Sequence, residues 1–133
     1  MKRKISAIIL LIAAAAMILA LSACGSGKPV PAKDLENVKK AGVIKVGMEC
    51  NYAPFNWTQA SSSETAVKIA SGYADGYDVR IAAELAKSLG VKLEIVKLEW
   101  EGLIPALESG KIDAIIAGMS PTDERKVSID FSD

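Results

Sequence analysis

The sequence predicts an α/β layer, a parallel-rich sheet flanked by helices. Three observations carry that expectation. Past residue 33, helical and strand-like stretches alternate in the order α, β, hairpin, α, β, α, β, α, as in strands joined by crossover helices. VRIAAELAKSLG, residues 79–90, places Ile81, Ala82, Leu85, Ala86 and Leu89 at helical spacing ahead of Gly90, a natural C-cap. The chemically richest segments, NYAPFNW, EWEG and GMSPTDER, each follow a strand, where sheets of this kind bind ligands.

The elements are read in order. Lys2, Arg3 and Lys4 precede AIILLIAAAAMILAL, a charged and then an apolar stretch that reads as an export signal over residues 1–23. The small residues of LSAC, ahead of Gly25, resemble the bacterial lipoprotein box, so Cys24 is the expected site of lipidation and anchors the protein to the membrane. The alternative is an uncleaved membrane helix, since residues 5–23 approach spanning length. Residues 24–33, rich in Gly, Ser, Pro and Lys, form a flexible tether. Residues 34–133 are then one α/β unit.

Within that unit, DLENVKKAG is a short helix stopped by Gly42, and VIKVGME a strand. NYAPFNW is a turn or loop broken by Pro54, followed by the polar loop TQASSSETA and a hairpin in VKIASGYADGYD. After the 79–90 helix, VKLEIVKLE alternates as a strand. EGLIPALESG is a helix with Pro105 in its first turn, where proline is tolerated. IDAIIAGMS is a buried strand, PTDERK opens a last helix, and VSIDFS is a strand or a connector.

Composition narrows the chemistry. Acids and bases balance at 16 each, but setting aside residues 1–23 and their three bases leaves 13 bases against 16 acids, a net of −3. No basic stripe is left for nucleic acid. The chain has no histidine, which removes imidazole catalysis and His-ligated metal sites from these residues. The two cysteines, Cys24 and Cys50, have no metal-like spacing. No cofactor, metal site or catalytic residue is expected.

The candidate site is a ligand cradle. A helix opening after Thr122 would hold Arg125 in its first turn, where the dipole disfavours a cation by about 0.3–1 kcal/mol. Arg125 is either a surface cation paired with Asp123 or Glu124, or an anchor for a carboxylate. Helix-end amides, the Ser120 hydroxyl and the Arg125 fork together suit a carboxylate. Tyr52 and Trp100, each placed after a strand, read as a ligand-stacking wall, whereas Phe55 and Trp57 read as core. Glu49 could hold an ammonium group. A carboxylate trap and an ammonium trap around an aromatic wall describe a site for an amino acid.

At these residues the chain resembles the family of type-3 extracellular solute-binding proteins, which serve bacterial amino-acid ABC importers. NYAPFNW, GYDVRIAAELAKSLG, WEGLIPALESGKIDAIIAGMS and SPTDERKVSIDFSD carry the resemblance, over about residues 34–133. It implies a periplasmic-binding-protein-like (type II) fold, of which this chain is expected to hold lobe 1 with the second lobe missing. It also implies that Arg125 grips the ligand α-carboxylate with Ser120 assisting. Gly118 would offer backbone to the ammonium, next to Met119, while Tyr52 and Trp100 flank the side chain. Glu49 stands where members carry an acid facing the ligand's polar groups. The expected partners are an amino-acid ligand, an ABC permease and its ATPase, with a Gram-positive type of lipid anchor. Two features depart from the family pattern: Arg80 in place of an acid, and the long 58–75 loop. One lobe leaves a ligand half exposed, so weak binding is expected of this chain alone. Other readings are an enzyme of the same fold, such as a dehydratase of cyclic acids, a sensor domain, or a product that has lost its activity.

Overall fold

The computed structural model describes residues 35–132. Its centre is a three-stranded parallel sheet, with helices packed on it and an antiparallel sheet beside it. Helix α1 (Leu35–Ala41) leads through Gly42 into β1 (Val43–Met48), the middle strand. On one side β1 pairs with β6 (Lys92–Lys97) from Val43↔Lys92 to Met48↔Lys97. On the other it pairs with β7 (Ala114–Ile115), at Val46↔Ala114 and Gly47↔Ile115. Strands buried on both faces read as apolar runs rather than strict alternation. Val46 and Met48 of β1 are fully buried, which stabilises the fold by about 1.5–3 kcal/mol per side chain.

The crossover helices are α2 (Tyr77–Leu89) and α3 (Trp100–Glu108). Helix α2 buries Val79, Ala82 and Ala86, and Gly90 ends it in the left-handed region (φ 70°). The Gly90 and Val91 amides close back on the carbonyls of Lys87 and Ala86, the hydrogen-bonding expected of a glycine cap. Helix α3 starts at Trp100, one residue earlier than the sequence predicts. Pro105 therefore lies in its interior rather than in its first turn. The hydrogen bond that Pro105 cannot donate would have gone to the carbonyl of Glu101, an exposed residue.

Beside this layer lies a second sheet of four antiparallel strands in the order β2-β3-β5-β4. These are β2 (Asn51–Tyr52), β3 (Asn56–Gln59), β4 (Val67–Ile69) and β5 (Gly72–Asp75). The β4–β5 hairpin lies in the segment that predicted one. The ladder of β2 and β3 falls where the sequence predicts only loop, because Pro54 hides two very short strands that pair around it.

Two expectations at the end of the chain change. The strand predicted over residues 112–120 shrinks to Ala114–Ile115, since among the described residues only β1 offers it a ladder. Bonds from the Asp113 and Ile116 amides to the carbonyls of Lys45 and Gly47 extend the pairing slightly. The helix predicted from PTDERK is a single 3-10 turn, Arg125–Val127, that closes at Ser128. It has no run of aligned peptides, hence no macrodipole for Arg125 to oppose. Residues 128–132 connect without strand pairing. Among the described residues no helix is long and apolar enough to cross a membrane. Cys24, the signal and the tether lie outside the described residues.

Candidate functional site

Parallel pairing sends the C-terminal ends of β6, β1 and β7 to one edge. Glu49 continues β1 at the centre of that edge. Trp100 opens α3 just past β6, and Gly118, Met119 and Ser120 follow β7. The sheet thus gathers residues that lie far apart in the chain, at the edge where ligands bind in such folds.

Tyr52 reaches this edge on the β2–β3 hairpin. Cys50 turns the chain there with a positive φ of 54°. The strain is offset by two bonds: the Cys50 amide donates to Asn56 Oδ1 at 2.8 Å, and its carbonyl accepts from Thr58 Oγ1 at 3.0 Å. Asn56 is fully buried, and its Nδ2 donates to Asp78 Oδ2 at 2.8 Å. The first turn of α2 completes the lock, with the Asp78 amide on the Phe55 carbonyl at 2.8 Å. Gly76 (φ 129°) is required at the junction, since a Cβ there would lie 2.3 Å from the Phe55 carbonyl oxygen. Asn56 and Asp78 are the residues that sequence reading missed. A short polar residue set between Phe55 and Trp57 was the signal.

The hairpin presents Tyr52 to solvent, stacked on Phe55 with ring centroids 5.0 Å apart and planes at 23°. Phe55 is therefore not core as the sequence predicts. It sits at the turn between β2 and β3, where the Tyr52 ring covers it only in part, and remains 38% exposed. Trp57, partly buried, donates from its indole to Gln59 Oε1. On Tyr52's other flank comes Gly118, in the left-handed region (φ 63°), where a Cβ would stand 3.5 Å from Tyr52 Cε1. Tyr52 and Gly118 are thus brought together.

Arg125, Ser120 and Trp100 form the second group. Arg125 Nη1 donates to the Ser120 carbonyl at 2.9 Å, and the guanidinium carbon lies 5.3 Å from the centroid of Trp100. The Arg125 amide meets Thr122 Oγ1 at 3.3 Å. Among the described residues no carboxylate lies within ion-pairing distance of Arg125, so Asp123 and Glu124 do not neutralise it. Most of its five N–H donors stay available for a ligand. Met119 packs against the core, and Glu49 is half-buried beside the site.

Two groups in and beside the antiparallel sheet titrate away from their ordinary values. Burial pushes the Cys50 thiol up to about 11, against a smaller opposite pull from the Lys97 charge, so it is a packed, inert thiol. Burial also raises Asp75, but hydrogen bonds from Ser63, Thr65 and the Gly76 amide, with the Arg80 charge, outweigh it and hold the carboxyl below its usual range. Among the described residues no group of three or more acids and cysteines is placed to hold a metal ion. A shallow hollow lined by Asn37, Val38, Lys45 and Asp113 lies toward the opposite ends of β1 and β7, away from these residues.

Residues 44–133 match the family described as bacterial extracellular solute-binding proteins, family 3. The chain is 34% identical over 125 residues to the arginine-binding extracellular protein ArtP of Bacillus subtilis, covering 94% of this chain and 42% of ArtP. It is 43% identical over 89 residues to a probable histidine-binding protein of Campylobacter jejuni, 67% of this chain and 30% of that protein. Among solved structures, domain 1 of TmArgBP in its arginine-bound form matches with a TM-score of 0.62 and 40% identity, over 72% of this chain and 68% of that one. An ancestral cyclohexadienyl dehydratase has the same fold, with a TM-score of 0.63 and 34% identity over 74% of this chain and 37% of its own. The chain spans less than half the length of these curated relatives.

Proposed function

Because the chain belongs to family 3 of the bacterial extracellular solute-binding proteins, we propose that it captures a polar amino acid outside the cell for an ABC importer. Arg125 grips the α-carboxylate, the Ser120 hydroxyl adds a donor, and backbone at Gly118 receives the ammonium. Tyr52 walls the side chain, and Glu49 faces its polar end. The observation that carries this reading is Arg125: a guanidinium with no acid partner among the described residues, set near the strand ends beside the Trp100 ring. A charge-assisted, two-pronged bond to a carboxylate is the interaction such a fork makes best.

The relatives' names span arginine, probable histidine and L-cystine, so they support a polar amino acid; Glu49 is what favours a cationic side chain among these. The arginine-bound domain 1 of TmArgBP supports binding by a single domain. That precedent weighs against the expectation that one lobe binds only weakly.

Cys24, lipidated after removal of residues 1–23, would tether the domain to the membrane through residues 24–33, near a permease and its ATPase. The intact mass of the membrane-bound protein tests this: a diacylglyceryl group on Cys24 supports the anchor, and an unmodified chain starting at Met1 refutes it. Ligand capture is tested by thermal-shift screening of the complete chain against the standard L-amino acids. Stabilisation by arginine, lysine or histidine that disappears in Arg125→Gln supports the reading. No response to any amino acid removes it.

A further inference from the structure

Charge is shared unevenly between the two ends of the parallel sheet. Parallel pairing puts the starts of β1, β6 and β7 at one end, opposite the ligand edge. The three helices finish there too: α1 leads through Gly42 into β1, α2 through Gly90 into β6, and α3 through residues 109–113 into β7. Five exposed lysines collect at this end. Lys39 and Lys40 stand in the last turn of α1, and Lys87 in the last turn of α2. Lys92 opens β6 with its amide on the Gly42 carbonyl, and Lys111 follows α3 with its amide on the Ala106 carbonyl. The acids of these helices are Glu36, Asp78, Glu84, Glu101 and Glu108, of which Asp78 and Glu101 belong to first turns at the ligand edge. Glu84 pairs with Lys87 at 3.7 Å, whereas Lys39, Lys40, Lys92 and Lys111 have no ion pair among the described residues. One step inward, Lys45 is matched by Glu94, its register partner, and by Asp113, which accepts the Lys45 amide. Helix dipoles favour cations at helix C-termini. They do not account for Lys92, on a strand, or for Lys111, three residues past the end of α3. Nor does composition, since acids exceed bases once residues 1–23 are set aside. Past the strand ends at the ligand edge the balance reverses: Glu49, Glu99, Glu101, Asp123 and Glu124 outnumber Lys97, Arg125 and Lys126.

We propose that the lysine end is a contact face for an anionic phospholipid surface, on which the domain rests with its ligand edge turned to the medium. This rests on the membrane-anchor part of the reading above, in which Cys24 is lipidated, and not on the choice of ligand. Exposed ammonium groups without partners are what an anionic bilayer attracts. The attraction acts only within a Debye length, about 8 Å at physiological salt, so the domain has to be held close. Residues 24–34 could do so, since a fully extended chain of that length spans roughly 40 Å at most. Lys28 and Lys33 add two more cations on the way. The same surface repels the acids of the ligand edge, so attraction and repulsion select one orientation. In that orientation Arg125 and Tyr52 face the solution from which a solute arrives.

The test is lysine footprinting of the complete chain, purified from membranes and reconstituted on vesicles. One set of vesicles is phosphatidylcholine, the other an equal mixture with phosphatidylglycerol. A water-soluble acetylating reagent is added, and mass spectrometry follows each lysine. On the anionic vesicles Lys39, Lys40, Lys92 and Lys111 should react about fivefold more slowly than on the neutral ones. Lys97 and Lys126, at the ligand edge, should react alike on both. High salt should remove the difference. In a Lys92→Gln, Lys111→Gln variant the protection of Lys39 and Lys40 should fall by more than half, while the urea midpoint stays in place. Equal rates on the two vesicles at those four lysines overturn the proposal, and so does protection that falls on Lys97 and Lys126 instead. Protection that survives high salt overturns it as well, because the contact is then not electrostatic. A chain that leaves both kinds of vesicle and carries no lipid on Cys24 refutes the anchor, and the orientation falls with it. Amino-acid capture, read by thermal shift on the same sample, stands or fails separately.

Discussion

The Tyr52 hairpin, which borders Gly118, and the Arg125 segment, which bonds to Ser120, are fastened by different means. The hairpin hangs on buried polar groups: Asn56 joins the Cys50 amide to Asp78, and Asp75 gathers Ser63, Thr65 and the Gly76 amide. The Arg125 segment is mostly exposed and held by Thr122, the Ser120 carbonyl and the Trp100 ring, with Ile129 tucked into the protein. Unpaired buried polar groups are expensive, so the hairpin is rigid by necessity. Exposed single bonds are worth little, so the Arg125 segment can shift at small cost. The hairpin is fixed by the fold, and the Arg125 side chain is set locally.

The sharpest way to break this contrast is Asn56→Leu. It strands the Cys50 amide and the Asp78 carboxylate, and should cost about 3 kcal/mol in urea unfolding. A cost comparable to that of a surface change would mean that the network does not hold the hairpin. Arg125→Gln should do the reverse. It should lower amino-acid affinity about 100-fold, as when a carboxylate loses its paired charge, with the urea midpoint unchanged.

Smaller effects sharpen the comparison. Gly76→Ala forces a side chain into φ 129° against the Phe55 carbonyl, and should cost about 1–3 kcal/mol. Thiol and carboxyl then give opposite pH signatures. Cys50 has a folded pKa of about 11 against an ordinary 9.0. Its contribution to stability is complete below pH 9.0 and fades as pH rises through about 11. In Cys24→Ser protein, thiol reagents near neutral pH should therefore label Cys50 only as fast as the protein unfolds. Asp75 is shifted down, so its contribution is present above the ordinary carboxylate range and fades as pH falls through its lowered value. Asp75→Asn should flatten the acid limb of the stability profile and leave the alkaline limb alone. The smallest effect belongs to Thr122→Ala, which removes one exposed bond at 3.3 Å and should cost about 0.5 kcal/mol.

The layer architecture was legible because the 79–90 helix and the 43–49 and 91–99 strands carry strong periodicity, and Gly90 ends its helix as its position implies. Trp100 and residues 118–120 share one edge because β6 and β7 end there, which parallel pairing enforces, whereas Tyr52 is brought by the antiparallel hairpin. Local pattern failed where the answer depends on partners. Asn51–Tyr52 and Asn56–Gln59 are strands only because each finds a neighbour across the turn. Arg125 looked like a helix-start conflict because DERK has helical propensity, yet too little of the rest of the chain packs on that segment to extend one turn. The Trp100–Arg125 contact joins residues 25 apart in sequence, and no spacing rule announces it.

The most direct test of the central claim is calorimetric titration of the complete chain with L-arginine and with agmatine. If Arg125 is a carboxylate anchor, arginine binds, agmatine binds about 100-fold more weakly, and Arg125→Gln erases the difference. Equal affinity for the two compounds, or a difference that survives Arg125→Gln, would contradict it.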